Sequence, residues 1–460
     1  MGNLTSGNTG PLAPKVAKTI FVTDDGSVGI SYDYAQQYVK HMPFEVELPV
    51  VTPRHIALIK ANWSAITVGT SAFDPAKHGS PDKFFHRTFY SLFFAVLPTA
   101  RNIFRSSMNV QGKSLASIIK VLTGVANVHT IGERMQALAM RHLKYGCAKS
   151  DYTAMGVTLF KTLEIVSGDE WSWQVKEAYL TAYCFLFYLM LPVLINHEPD
   201  PIPDDLPATV IAVDVFGSVR RVTLSYNFPL RFLPGEGVVL GIPEANGTET
   251  RKYFPIASFS PKATHTLDIL VDQASSAWLG SRAIGATCNL YYVESNICID
   301  VEDVEALPEA PLFVSYGAGC APFMAMIQAL HSVQNLYRGN VVALQCGSSF
   351  DEAAALARGY GDLSRWPNCT VQYDMNVTPD LLANMVPQLS HRTMYVCGPP
   401  EFVSMAEKAF VVAGGRRSRV RVYTYDSSKL RVQDEIVKRG LIPAFEVSRT
   451  VPRRTYSASA

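Results

Sequence analysis

The sequence predicts a multidomain protein: an all-α half, then an antiparallel β-barrel, then an α/β doubly wound sheet. Three observations predict it. Between residues 51 and 196 apolar residues recur at helical spacing, as in Ile56, Ile59, Trp63 and Ile66, with no strand-like alternation. The run Asn196 to Pro207 then carries Pro199, Pro201, Pro203 and Pro207 with four acidic residues, which makes a stiff, solvated linker. Beyond it, short apolar runs between turn residues give way, near residue 310, to strands alternating with helices.

Taken in order, residues 1–50 form an accessory segment, with Asp24-Asp25-Gly26 as a hairpin turn and a short helix over Tyr34–His41. Residues 51–196 form the helical domain. Thr52 caps its first helix and Pro53 occupies the first turn. The periodicity then predicts helices over Phe84–Leu97, Leu115–Val128, Ile131–Tyr145, Tyr152–Val166 and Trp173–Ile195. A linker spans 197–207. The barrel, 208–308, has strands at Thr209–Phe216, Arg221–Tyr226, Gly237–Ile242, His265–Val271 and Thr287–Tyr292. The doubly wound domain, 309–430, has strands at Leu312–Ser315, Val341–Gln345, Val371–Tyr373, Thr393–Val396 and Arg419–Tyr423. Residues 431–460 read as a tail.

Composition narrows the function. Of the 460 residues 48% are hydrophobic and 18% charged, which excludes a mainly disordered chain. The 41 Lys and Arg nearly cancel the 40 Asp and Glu, which excludes a strongly charged nucleic-acid binder. The eight cysteines form no C-x-x-C pair, which favours a reducing, cytoplasmic setting over a disulfide framework or a zinc site. Met1-Gly2-Asn3-Leu4-Thr5-Ser6 matches a myristoylation pattern with Gly2 as acceptor, so weak membrane attachment is expected if it is modified. Ala178 to Ile195 is long and uncharged enough to span a bilayer, but it lacks a basic flank and reads better as a buried core helix.

Four constellations carry chemistry. His142 follows Met135, Leu138 and Ala139 on one helical face, where a neutral imidazole can ligate a haem iron behind an apolar wall. Upstream stand Tyr90, Phe104, Gln111 and Leu115, and Tyr152 lies ten residues downstream. The second constellation is Arg251-Lys252-Tyr253-Phe254-Pro255-Ile256-Ala257-Ser258, with Ser275-Ser276-Ala277-Trp278 after it. The third is Phe313-Val314-Ser315-Tyr316-Gly317-Ala318-Gly319-Cys320-Ala321-Pro322, a strand, a tight turn and a helix start able to receive a pyrophosphate. The fourth is Cys397-Gly398-Pro399-Pro400.

From about 52 to 425 these motifs, in this order, resemble the flavohaemoglobin family: a globin fused to a ferredoxin-reductase-like FAD and NAD(P) module. The resemblance implies haem b on His142, with Tyr152 orienting that imidazole. It implies Tyr90 and Gln111 as donors to bound oxygen, and Phe104 and Leu115 against the haem. It implies FAD at Arg251, Tyr253, Ser258 and Ser276, and NADH or NADPH at Gly317, Gly319, Pro322, Cys397, Gly398 and Pro399. The segment Cys346 to Glu352 shows no basic pocket for a 2′-phosphate, which leans toward NADH.

The sequence departs from the family at three places. The stretch Tyr188 to Ile195 lacks the Glu that completes the proximal His–Tyr pair, so a weaker proximal push is expected. Phe254 replaces a hydroxyl residue. The family's terminal flavin cover has no clear counterpart in Tyr423-Thr424-Tyr425-Asp426. The expected activity is nitric oxide dioxygenation, with O2 and nitric oxide as substrates. Two alternatives are an NAD(P)H-dependent haem or ferric reductase, or superoxide-producing oxidase, and a non-enzymatic oxygen or redox sensor.

Overall fold

The computed structural model describes residues 18–46, 48–126, 128–244, 246–272, 284–363 and 366–425. Gly2, Ser276 and the tail 431–460 therefore lie outside the described residues. The chain divides into two compact units. One runs to Ile103 and from Gln111 to Ile202, and the other comprises Phe104–Val110 and the chain from Pro203 onward.

The first unit opens with an antiparallel sheet of β1 (Ile20–Val22), β2 (Val28–Ile30) and β3 (Val50–Val51). The β1–β2 turn closes as the Asp24-Asp25-Gly26 signature predicts: Gly26 takes a φ of 79°, and the Asp25 carboxylate accepts from the Ser27 backbone N–H at 3.1 Å. Helix α1 (Tyr32–Tyr38) follows. The all-α region then comprises α2 (Pro53–Val68), α3 (Pro75–His78), α4 (Pro81–Val96), α5 (Met108–Thr123), α6 (Val128–Lys144), α7 (Lys149–Ser167) and α8 (Trp173–Leu194). Thr52 caps α2 by accepting from His55 N–H at 3.1 Å, with Pro53 at the first helical position. Ser80 and Ser172 cap α4 and α8 in the same way. Helix α8 is long and apolar enough to cross a membrane, yet most of it is buried in the protein. Its apolar side chains run all round the helix because neighbours cover it all round, including α1, β2 and β3. The N-terminal segment is thus part of the helical unit's core.

The second unit holds two sheets. Six antiparallel strands run in the order β7-β6-β9-β4-β5-β8: β4 (Pro207–Phe216), β5 (Val219–Leu230), β6 (Gly237–Pro243), β7 (Glu249–Pro255), β8 (Thr264–Asp272) and β9 (Thr287–Glu294). A bridge between Ile256 and Ile269 joins the two outer strands and closes the barrel. The other sheet is parallel, ordered β12-β11-β10-β13-β14: β10 (Pro311–Tyr316), β11 (Val341–Cys346), β12 (Cys369–Asp374), β13 (Thr393–Cys397) and β14 (Val420–Val422). Its crossovers include α9 (Ala321–Ser332), α10 (Phe350–Arg358), α11 (Pro379–Met385) and α12 (Pro400–Val412).

Two differences from the sequence reading stand out. Strand β7 was not expected as a separate strand, because Glu249, Arg251 and Lys252 hide its apolar face until Tyr253. The segment 104–110 was assigned to the helical domain but belongs to the barrel unit. There the buried Arg105 guanidinium donates to the carbonyls of Leu290, Tyr291, Pro203 and Asp204 at 2.6–3.2 Å. Val293 N–H donates to Arg105 O, and Ser107 N–H to Arg231 O. Four carbonyls satisfy one buried cation, and that is what holds the segment to the barrel.

Candidate functional site

In the helical unit α6 and α7 bring His142 and Tyr152 together, with His142 Nδ1 2.7 Å from the Tyr152 hydroxyl. Burial, with a smaller contribution from Arg141, lowers the imidazole to a pKa of about 4, so the ring is neutral at neutral pH. Nε2 has no hydrogen-bond partner among the described residues. Burial raises the Tyr152 phenol, which therefore stays protonated. No carboxylate bonds to that phenol among the described residues.

Tyr90 is buried on α4, edge-on to Phe89 and stacked on Phe94 at 5.7 Å between ring centres, and desolvation raises its phenol. One turn before it lies His86, which sequence reasoning missed. His86 is buried, and desolvation first, then Arg87 and Lys83, lowers it to about 4. A Cβ on Gly112 would come within 2.4 Å of its Nδ1, so this glycine lets α5 cross α4 closely. Leu115 is buried one turn beyond Gly112, and Gln111, half-buried beside it, makes no side-chain hydrogen bond among the described residues. Phe104 lies in the barrel unit's segment and not in the helical unit. Nothing in the pattern marks this, because seven residues are too few to show a period.

The barrel motif is split by strand alternation. Tyr253 faces the core shared with the parallel sheet, alongside Phe323 and Tyr423, whereas Phe254 points into the barrel core. Phe254 is therefore a packing residue. The Tyr253 ring lies against Gly237, where a Cβ would come within 2.3 Å of it. Its hydroxyl is 2.7 Å from that of Tyr423, which donates to Gly235 O, and it accepts from Asn296 Nδ2 at 3.1 Å. The exposed Arg251 guanidinium stacks on the Tyr291 ring at 3.6 Å. Ser258 Oγ accepts from Asp268 N–H at 2.9 Å.

Beside this motif lies Glu236, also missed. It is fully buried and accepts from Ser107 Oγ (2.8 Å), Asn109 Nδ2 (2.7 Å) and Leu233 N–H (2.7 Å). Burial pushes its carboxyl up to about 7 against these bonds.

At the parallel sheet, β10 and β13 are neighbours with Ser315 opposite Cys397, so the third and fourth motifs leave the same sheet edge together. Gly317 takes a φ of 53°, and the turn Gly317–Cys320 feeds α9, with Pro322 in its first turn. A Cβ on Gly319 would lie 2.6 Å from Cys397 O and 3.2 Å from Gly398 N. Only glycine allows the two turns to touch. Cys397 is buried, which pushes its thiol up, and Pro399 caps α12. The Tyr425 hydroxyl reaches Ala318 O at 3.1 Å, so Tyr423 and Tyr425, where no flavin cover was recognised, do stand at this edge. After β11, the Glu352 carboxylate accepts from the backbone N–H and hydroxyl of both Ser218 and Ser348. Burial opposes the charge, but these bonds outweigh it and hold Glu352 below its ordinary value.

No protein-family model and no curated protein matches the chain. Among solved structures, the flavohaemoglobin of Malassezia yamatoensis with bound FAD and heme aligns with 82% of this chain and 100% of its own, at 15% identity and a TM-score of 0.41. The flavohem-like FAD/NAD-binding domain of a Vibrio cholerae nitric oxide dioxygenase covers 48% of this chain and 98% of its own, at 16% identity and a TM-score of 0.40. A Neisseria gonorrhoeae ferredoxin NADP+ reductase with bound FAD and NADP covers 48% and 98%, at 15% identity and a TM-score of 0.37.

Proposed function

We propose that the protein is a haem- and FAD-dependent NAD(P)H oxidoreductase acting as a nitric oxide dioxygenase. One observation carries the reading: a half-buried neutral imidazole has one nitrogen held by a phenol and, among the described residues, the other without a partner. That is the donor a haem iron needs. When bound, haem would supply oxygen activation, and FAD the conversion of hydride into single electrons. His142 must carry its proton on Nδ1, donated to the Tyr152 oxygen, so that the Nε2 lone pair is free. With no carboxylate taking the phenol's own proton, that proton competes for Nδ1. The resemblance makes the Tyr90 phenol on α4 and the Gln111 amide on α5 the donors to a ligand. The Gly317–Cys320 and Cys397–Gly398 turns leave backbone room for a nicotinamide nucleotide. The segment Cys346 to Glu352 offers no basic side chain to pair with a 2′-phosphate, which supports NADH.

A nitric oxide electrode, with purified protein, NADH and oxygen, tests the reading. Oxygen-dependent consumption well above autoxidation is expected, and consumption at the background rate rejects it. The uncompleted proximal pair favours one second reading, a haem or ferric reductase. Ferric-chelate reduction outpacing nitrate formation would select it.

A further inference from the structure

The N-terminal segment has no part in the reading above, yet it ends in a contact behind the proximal pair. The Phe44 ring packs edge-on against Tyr183 of α8 (5.9 Å between centres) and Phe160 of α7 (5.6 Å), and these two rings also meet each other at 5.6 Å. They converge on Gly156, one helical turn past Tyr152. A Cβ there would lie 2.8 Å from Phe44 and 3.0 Å from Tyr183. The buried Tyr183 hydroxyl donates to the backbone carbonyl of Tyr152 at 2.6 Å. A buried hydroxyl needs a partner, so this bond is specified by the site. The Tyr152 ring rests on Phe187, and its hydroxyl meets His142. A second tie, Lys149 Nζ to His41 Nδ1 at 3.4 Å, joins the segment to the start of α7.

We propose that Phe44 and Tyr183 are positioning residues for His142: the N-terminal segment wedges Tyr183 against α7, and Tyr183 fixes the backbone that carries the Tyr152 phenol. This rests on the haem reading above. The brace supplies through packing only the positioning that a carboxylate would supply through a hydrogen bond. It holds the phenol at one distance from Nδ1, and so limits how far the imidazole can rotate or shift its proton to Nε2.

The test uses the haem-loaded full chain, with the iron–histidine stretching band of the ferrous protein and the rate of haem transfer to apomyoglobin as readouts. Tyr152→Phe is the reference that moves both. Phe44→Ala and Tyr183→Phe are expected to shift the band in the same direction and to speed haem loss about tenfold. Phe44→Leu, which refills the wedge, restores both toward wild type. Tyr183→Phe removes only a hydroxyl, so it keeps the test valid where Phe44→Ala fails to fold. A band unmoved by Tyr183→Phe, in a protein where Tyr152→Phe moves it, overturns the brace and leaves the haem reading standing. Wild-type chain that takes up no haem overturns both.

Discussion

The helical unit and the sheet unit set up their chemistry by opposite means. In the helical unit the site is made of side chains. His142, Tyr152, Tyr183 and Phe44 come from four separate segments, and each holds the next through a ring contact or a single hydrogen bond. In the sheet unit the nucleotide end is made of backbone. Two turns leave adjacent parallel strands and touch because Gly319 has no side chain. A side-chain site is adjustable, because a side chain can be positioned by packing as well as by a hydrogen bond. A backbone site is not, because one added methyl collides with a main chain that cannot swing aside.

Three substitutions break or sharpen that contrast. The largest effect belongs to His142→Ala. Haem content should fall close to zero, read from the Soret band, while flavin absorbance stays, since the sheet unit does not depend on that imidazole. Gly319→Ala follows. Its methyl must displace Cys397 O, so hydride transfer from NADH to flavin should fall about a hundredfold in stopped flow, with a stability loss of about 1–3 kcal/mol and haem content unchanged. Retention of the wild-type rate would show that the two turns have room to part.

The smallest effect separates a buried acid from both sites. Glu236 is raised from 4.5 to about 7, so the folded state favours its protonated form. Its contribution to stability is complete below pH 4.5 and is lost as the pH rises through 7. Wild-type protein should therefore lose on the order of 2 kcal/mol between pH 5 and pH 8 from this group. Glu236→Gln should flatten that fall in unfolding midpoints measured at the two pH values. An equal fall in the variant would move the cause elsewhere.

The first helix start was legible because its signal is local: Thr52-Pro53 marks a cap within one turn, whereas the helix expected from Phe84 begins at Pro81, capped by Ser80. The glycine turns were legible for the same reason, and so was His142 as a lone imidazole on an apolar face. The course of 104–110 was not. Arg105 satisfies its charge on carbonyls about a hundred and more residues away, and an arginine's sequence neighbours say nothing of that. Glu236 and His86 were missed because a single polar residue in an apolar run looks like surface until its burial is seen. Phe254 stands where the family has a hydroxyl residue, and only strand alternation in the fold shows it pointing into the barrel core.

By itself the sequence determined the period of each segment, the places where it must stop, and the few positions where a glycine or a histidine has no ordinary substitute. These follow from backbone sterics and from side chains a few residues apart. Only the tertiary structure decided which phenol faces His142 Nδ1, what stands behind that phenol, and which unit keeps residues 104–110. Those contacts join segments far apart in the chain, and the burial that gives them their strength arises only once each unit has packed.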